Sequence, residues 1–374
     1  MRVLICPDKF AGTLSAVEVA AAVEAGWRAQ APRDEVVTLP LADGGPGFVE
    51  VLHAALGGHR LPVPTIDPLG RRVAGEVLVS GDTAYVESAQ ACGLHLLDPG
   101  ERDPNRATSY GLGVLLVAAM ESGVRRVVVG LGGSATNDAG AGMLAALGAA
   151  PVDDAGLVLP YGGAALIGCA GLSGPPRLRP GVALVAATDV DNPLTGLHGA
   201  SAIFGPQKGA SLEDVMRLDA ALERFAGVLE KDLPDVPAEL AARPGAGAAG
   251  GLGAALLALG ATVESGIGLV RAAVGLDAAL DDSDLVITGE GSFDHQSLRG
   301  KVVSGVAAGA RDRGLACVVL AGRVSAGRRE AAAAGVTETF SLVDELGGVN
   351  AAMARPEEGL RRLASRLAGQ WAGS

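Results

Sequence analysis

Short β-rich runs alternate with helix-like runs at both ends of this chain, and that alternation is its strongest constraint on fold. It calls for a parallel sheet whose strands are joined by crossover helices. Residues 3–6 read as a buried strand. Residues 15–30 read as a helix with Ala and Val on one face and Glu18, Glu24 and Arg28 on another. A second strand over 35–39 and a second helix over 47–56 follow. From Asp284 the pattern returns: strand LVIT, helix 302–313, strand 316–320, helix 326–334, strand 338–342, helix 357–367. Between these ends DPLGRRVAGEVLVSGDTAYVES carries hairpin chemistry, a turn and a strand twice over. A helix over 108–121, a strand over 126–129, a helix from Asp138, a strand over 182–187, a helix over 212–230 and a helix ending near Leu259 come next. The expected fold class is α/β with two α/β domains. One is an open flavodoxin/Rossmann-like parallel sheet built from both chain ends, residues 1–65 and 281–374. The other is an inserted mixed α/β domain over 66–280. A length of 374 residues suits two cores better than one.

Strand after strand runs into an acidic or glycine-rich loop: PDKFAG, LADGGPG, GLGGSATNDAGAG, TDVDNPLTG and TGEGSFDHQSLRGK. In α/β sheets, ligands sit beyond the carboxyl ends of the strands. Asp8, Asp43, Asp138, Asp189, Asp191, Glu290 and Asp294 therefore suggest a site rich in carboxylates and backbone N–H groups. Mg²⁺ between carboxylates and phosphate oxygens would reconcile the charges. The plainer reading is that each Asp caps the next helix; the five loops together favour the site. Gly132 and Gly133 permit close backbone approach, and the turn after them, with Ser134 and Thr136, would hold an anion. Gly130, Gly132 and Ala135 also match a GxGxxA fingerprint. A second match, at Gly245, Gly247 and Gly250, follows ELAARP, which is no strand. Lys208, between glycines in GPQKGA, and Lys301 read equally as phosphate-binding cations or as solvated loop lysines.

Other classes are disfavoured. Net charge is −12, with no Lys/Arg cluster, which argues against nucleic acid or an anionic membrane as partner. Aromatic residues are 3% of the chain, too few for base-stacking platforms. Cys6, Cys92, Cys169 and Cys317 are far apart in apolar surroundings and read as buried thiols of a reducing cytosol. No HExxH or CxxC pattern suggests zinc, and no Walker, HRD, DFG or GxSxG motif is present. MRVLICPDKF does not read as a signal peptide. The uncharged stretch 245–263 reads as a glycine-rich loop entering a buried helix rather than a membrane span. The expected location is cytoplasmic, and a homodimer is compatible with these readings.

The ordered set PDKFAGTLSA, LADGGPG, GLGGSATNDAGAGML, TDVDNPLTG, FGPQKGA, GAGAAGGLGAALLALGA, SGI and DLVITGEGSFDHQSLRGK resembles the bacterial glycerate kinase family of glyoxylate and glycerate catabolism. The resemblance implies an ATP- and Mg²⁺-dependent kinase that phosphorylates D-glycerate, usually to 2-phosphoglycerate, in a cleft between two α/β domains. Two departures bear on substrate preference: Lys9 and Ala11 replace the Ser and Lys of a PDSFKG opening, and Pro46 replaces the Glu of ADGGEG. Carried over with the motif chemistry, the expectation places phosphates near Gly132, Gly133, Ser134, Asn137 and Asp138 and near Gly247, Gly250 and Gly251. Mg²⁺ would lie on Asp189 and Asp191, with Glu290 as a further ligand. Asp8, Lys9, Gly44, Gly45, Asn192 and Gln296 would bind substrate or nucleotide. Lys208 or Lys301 would neutralise charge, and Asp43 or Asp294 would accept the substrate hydroxyl proton. The alternatives are a kinase of another small hydroxy acid, such as erythronate or tartrate, an NAD(P)-dependent hydroxy-acid oxidoreductase, and a non-catalytic sugar-acid sensor.

Overall fold

Every strand expected at the two chain ends forms, and each finds the neighbours that a doubly wound sheet requires. The computed structural model describes residues 1–295, 297–298 and 302–371. Its strands run in chain order as β1 (Arg2–Ile5), β2 (Glu35–Thr38), β3 (His59–Ile66), β4 (Arg72–Ser80), β5 (Thr83–Glu87), β6 (Arg126–Gly130), β7 (Pro151–Val152), β8 (Gly171–Leu172), β9 (Ala183–Ala187), β10 (Thr262–Glu264), β11 (Leu285–Phe293), β12 (Ala316–Val324) and β13 (Glu338–Ser341). The chain divides into two compact units. The first comprises Met1–Asp43, Glu50–Leu56 and Ile267–Ser374, and the second Gly44–Val49 and Gly57–Gly266.

The first unit holds a sheet in the order β13-β12-β11-β1-β2, with every pair parallel. Val3, Leu4 and Ile5 of β1 and Leu285, Val286 and Ile287 of β11 are buried, the continuous apolar run of strands covered on both faces. The helix Ala16–Gln30 starts where it does because Ser15 and Glu18 form a capping box. Its Val19, Val23 and Trp27 share a core with Leu360, Leu363 and Leu367 of the helix Pro356–Trp371. The Trp27 indole donates to Asp34 Oδ2 at 3.0 Å, so the buried ring keeps its one polar group bonded. Strand order reverses between β1 and β11. That is the topological switch point, where open α/β sheets place their ligands.

The second unit holds a mixed sheet in the order β10-β9-β6-β5-β4-β3. β4 runs antiparallel to both β3 and β5, while β5, β6, β9 and β10 are mutually parallel. β3 is a strand the sequence hides, because Pro62 and Pro64 lie within it. They are tolerated because β3 is an edge strand, where half the N–H groups have no ladder partner to lose. β3 pairs with β4 along its length, from His59 opposite Val79 to Ile66 opposite Arg72. The second unit therefore begins before residue 66, contrary to the expected boundary. At the other end the helices Gly266–Val274 and Leu276–Asp281 belong almost wholly to the first unit, so the insertion closes before residue 280. The glycine-rich stretch leads into the helix Ala248–Ala258, and no described helix is long and apolar enough to cross a membrane. All four cysteines are buried free thiols.

Candidate functional site

At the switch point of the first unit lies a cavity of about 450 Å³. Asp8 and Lys9 reach it from the loop after β1, Asp43 from the loop after β2, and Glu290 and Asp294 from the end of β11. Lys9 Nζ lies 3.3 Å from Asp8 Oδ1 and 4.0 Å from Asp43 Oδ1. The Lys9 backbone N–H also donates to Asp8 Oδ1, at 2.7 Å. Burial pushes the Asp8 carboxyl above the usual carboxylate range; Lys9 pulls it back, and the charge of Asp43 raises it again. Ala11 lines the same cavity as Lys9. The segment between them is tightly folded rather than extended, with Phe10 N–H donating to Leu14 O and Leu14 N–H to Phe10 O. Glu290 is buried at 8% exposure. Asp294 caps a short turn in which its N–H donates to Ser297 Oγ at 3.0 Å. Gln296 and Lys301 lie outside the described residues.

Two contributors to this cavity are not among the expected residues. Arg323 stands at the end of β12, opposite Ser292 of β11. An apolar wall comes from the helices after β13, including Val349 and Met353, which are 55% and 53% exposed. Arg323 had a signal: the strand over 316–320 runs into AGRVSAG, the same strand-end pattern used elsewhere. The wall had none, because the pattern marks no helix between residues 342 and 357, where the short helices Leu342–Leu346 and Val349–Ala354 form.

In the second unit the expected residues group into two clusters. The first is built by backbone packing. A Cβ on Gly132 would sit 2.7 Å from Gly45 Cα, and one on Gly44 would sit 3.0 Å from Ala187 O, so these glycines let the loops after β6 and β9 close on the 44–47 segment. Glu87 Oε2 accepts from Gly47 N–H and Val49 N–H and ties that segment down. The turn after Ser134 then meets the glycine-rich stretch: Ala139 N–H donates to Gly250 O, and a Cβ on Gly251 would sit 2.7 Å from Ala139 Cα. Gly247 N–H donates to Asn192 O. In this structure Gly247, Gly250 and Gly251 serve close packing.

Asp138 carries the turn. Its carboxylate accepts from Ser109 N–H and Oγ–H and from Gly140 N–H and Gly142 N–H, while Met143 N–H donates to Ser109 Oγ. The amides that open the short helix Ala141–Ala146 are therefore already bonded within the protein. Asn137 Nδ2 donates to Ser201 Oγ, while Asn137 Oδ1 and Thr136 Oγ1 are buried without a partner among the described residues.

Lys208 sits behind the same turn. At 2% exposure it donates to Ser134 Oγ at 3.0 Å and to Thr136 O at 2.7 Å. Burial pulls its ammonium down to about 7, against the nearby Asp138 carboxylate, which raises it. The unfolded chain, with an ordinary lysine, binds a proton that the folded chain lacks between about pH 7 and pH 10. Stability should therefore rise with pH across that window, by up to about 1.4 kcal/mol per pH unit. Lys208→Met should remove the rise. Urea midpoints at pH 7 and pH 9 for both proteins test this, and equal slopes would refute it.

The second cluster is the loop after β9. Asp189 Oδ1 accepts from Ser265 Oγ–H at 2.6 Å, and Asn192 Nδ2 donates to His198 O at 2.8 Å. Asp189 and Asp191 are both exposed. Among the described residues no three His, Cys, Asp or Glu side chains converge on a metal position. Mg²⁺ asks less, since it keeps several waters and needs only one or two carboxylates beside phosphate oxygens. Two exposed carboxylates on one loop fit that donor set.

Fold and site together define an α/β protein with carboxylate and cationic side chains gathered at the strand ends of its parallel sheet. The model of the glycerate kinase family matches residues 3–372. The glycerate 2-kinase of Escherichia coli K12 is 42% identical over 380 residues, covering 98% of this chain and 97% of the relative. The glycerate kinase of Bacillus subtilis 168 is 42% identical over 351 residues, covering 92% and 90%. A crystal structure from Salmonella typhimurium LT2, described as a glycerate kinase 2, superposes with a TM-score of 0.80 at 41% identity, covering 100% of this chain and 98% of that one. The chain belongs to the glycerate kinase family.

Proposed function

We propose that this enzyme transfers the γ-phosphoryl group of ATP to a hydroxyl of D-glycerate, giving 2-phosphoglycerate and ADP. The observation that carries this reading is the switch-point cavity, in which the carboxylates of Asp8 and Asp43 flank the ammonium of Lys9. Family membership supplies the reaction class, and the name of the Escherichia coli relative supports the 2-position.

Phosphoryl transfer needs a positioned hydroxyl, an acceptor for its proton and neutralisation of charge on the moving group. The Asp8/Asp43 pair meets the second need, and burial raises the Asp8 carboxyl toward a useful base. As the hydroxyl oxygen bonds to phosphorus and the bond to ADP breaks, the hydroxyl proton passes to this pair. Asp294, in its turn, is the alternative acceptor. Lys9 holds the two carboxylates in register. Lys208 and Asp138 set the shape of the Ser134–Asp138 turn from behind. Mg²⁺ would sit on Asp189 and Asp191 and would screen the phosphate charge when bound.

The test follows ADP release from ATP and Mg²⁺ with D-glycerate in two coupled assays. One passes the product to enolase and pyruvate kinase, and the other adds phosphoglycerate mutase first. Signal in the first is expected. Signal only with mutase would place the phosphoryl group on the 3-hydroxyl. Silence in both, with ATP still bound, would move the substrate to a larger hydroxy acid.

A further inference from the structure

We infer that Arg323 is the anchor for the carboxylate of the organic acid substrate, and so the residue that selects acids over neutral polyols. This rests on the proposed function for the position of the reacting hydroxyl. Lys9 and Arg323 are the cations among the described residues that line the switch-point cavity. Lys9 is already engaged by Asp8 and Asp43. Arg323 makes no hydrogen bond or ion pair among the described residues, although four carboxylates line the same cavity. By contrast Arg271, Arg313, Arg355, Arg361 and Arg366 of the same unit each hold a carboxylate.

The backbone beneath Arg323 is fixed. Arg323 pairs in register with Ser292 and its neighbour Val324 with Phe293, while Ser325 N–H donates to Phe293 O at 2.8 Å. A Cβ on Gly322 would lie 2.4 Å from Gly291 O, so the two strands approach closely just before it. Arg323 is exposed, so water holds its planar fork of five donors, and on a rigid base that fork stays open to a carboxylate able to take two parallel bonds from it. The choice of carboxylate over phosphate follows from substrate size. In a small hydroxy acid the hydroxyl is only a few bonds from the carboxylate. With the hydroxyl at the Asp8/Asp43 pair, the carboxylate must fall in the same cavity, where those two acids repel it and Arg323 offers the unspent charge.

The experiment compares wild type, Arg323→Ala and Arg323→Lys by steady-state kinetics and by calorimetric binding of D-glycerate, tartrate and the uncharged analogue glyceramide. Arg323→Ala should raise KM for glycerate about 30-fold or more. KM for ATP and the melting temperature should stay within error, and the preference for glycerate over glyceramide should collapse. Arg323→Lys should recover part of the loss, because the charge returns without the fork. A rise confined to KM for ATP would make Arg323 a phosphate ligand and overturn the inference, as would no change in either KM. If wild type binds tartrate but not glycerate, and Arg323→Ala loses that binding, the substrate assignment fails while the anchor stands. If wild type binds neither acid, both fail.

Discussion

Replacing Gly250 by Ala should destabilise the protein by about 4 kcal/mol or more, a collapse for a domain of ordinary stability. The Cβ would lie 1.9 Å from Thr136 O, 2.7 Å from Thr136 C and 2.9 Å from Asn137 Cα. All three atoms are backbone, so no side chain can rotate away. The residue also has φ of +72°, which a Cβ penalises by roughly 1 kcal/mol. The Thr136–Asn137 backbone cannot yield cheaply, because Lys208 holds Thr136 O and Asn137 Nδ2 is bonded to Ser201. Gly260→Ala is the control: its φ is +83°, but nothing lies within 4 Å of its Cβ. It should cost only the backbone term, about 1 kcal/mol. Denaturant unfolding of both variants measures the difference. Equal shifts would show that the close approach is not a constraint.

Asp8→Asn and Asp43→Asn should each lower kcat by about 100-fold or more while leaving KM for ATP within threefold. Either change removes a proton acceptor and leaves Lys9 with one carboxylate in place of two. The pH profile separates this role from a structural one. A base works when deprotonated, so wild-type kcat should fall as pH drops through the Asp8 value, which burial holds above the range of an ordinary aspartate. The residual activity of Asp8→Asn should lose that limb or show it at lower pH, because the carboxyl that burial raises is gone. A variant within threefold of wild type, or an acid limb unchanged in Asp8→Asn, would exclude the pair as the acceptor and direct attention to Asp294.

Much of the fold was legible because its signals are local. β1, β11 and β12 are runs of apolar residues bounded by turns, and Ser15 with Glu18 marks a helix start that needs no tertiary help. The strand-end rule likewise brought Asp8, Asp43, Glu290 and Asp294 onto one list, and the folded chain lines one cavity with them. The hidden strand β3 was not legible, because its prolines are acceptable only at a sheet edge, and edge position is a property of the whole sheet.

What the sequence determined by itself is the class of fold, the family and the pool of polar residues at strand ends, since periodicity and ordered motifs are written along the chain. What only the tertiary structure decided is which of those residues face a cavity and which are consumed internally. Asp138 and Lys208 carry the charges of ligand-binding residues, yet burial and hydrogen bonds to their own turn use them up. Gly250 and Gly251 look like a phosphate loop, yet neighbouring backbone fills the space where a side chain would stand. Arg323 looks like one arginine among many, and its place on a cavity lined by four carboxylates, with no ion pair among the described residues, singles it out. Solvation decides these cases: whether a polar group is left for a ligand depends on what else packs against it, and that is a fact about neighbours distant in sequence.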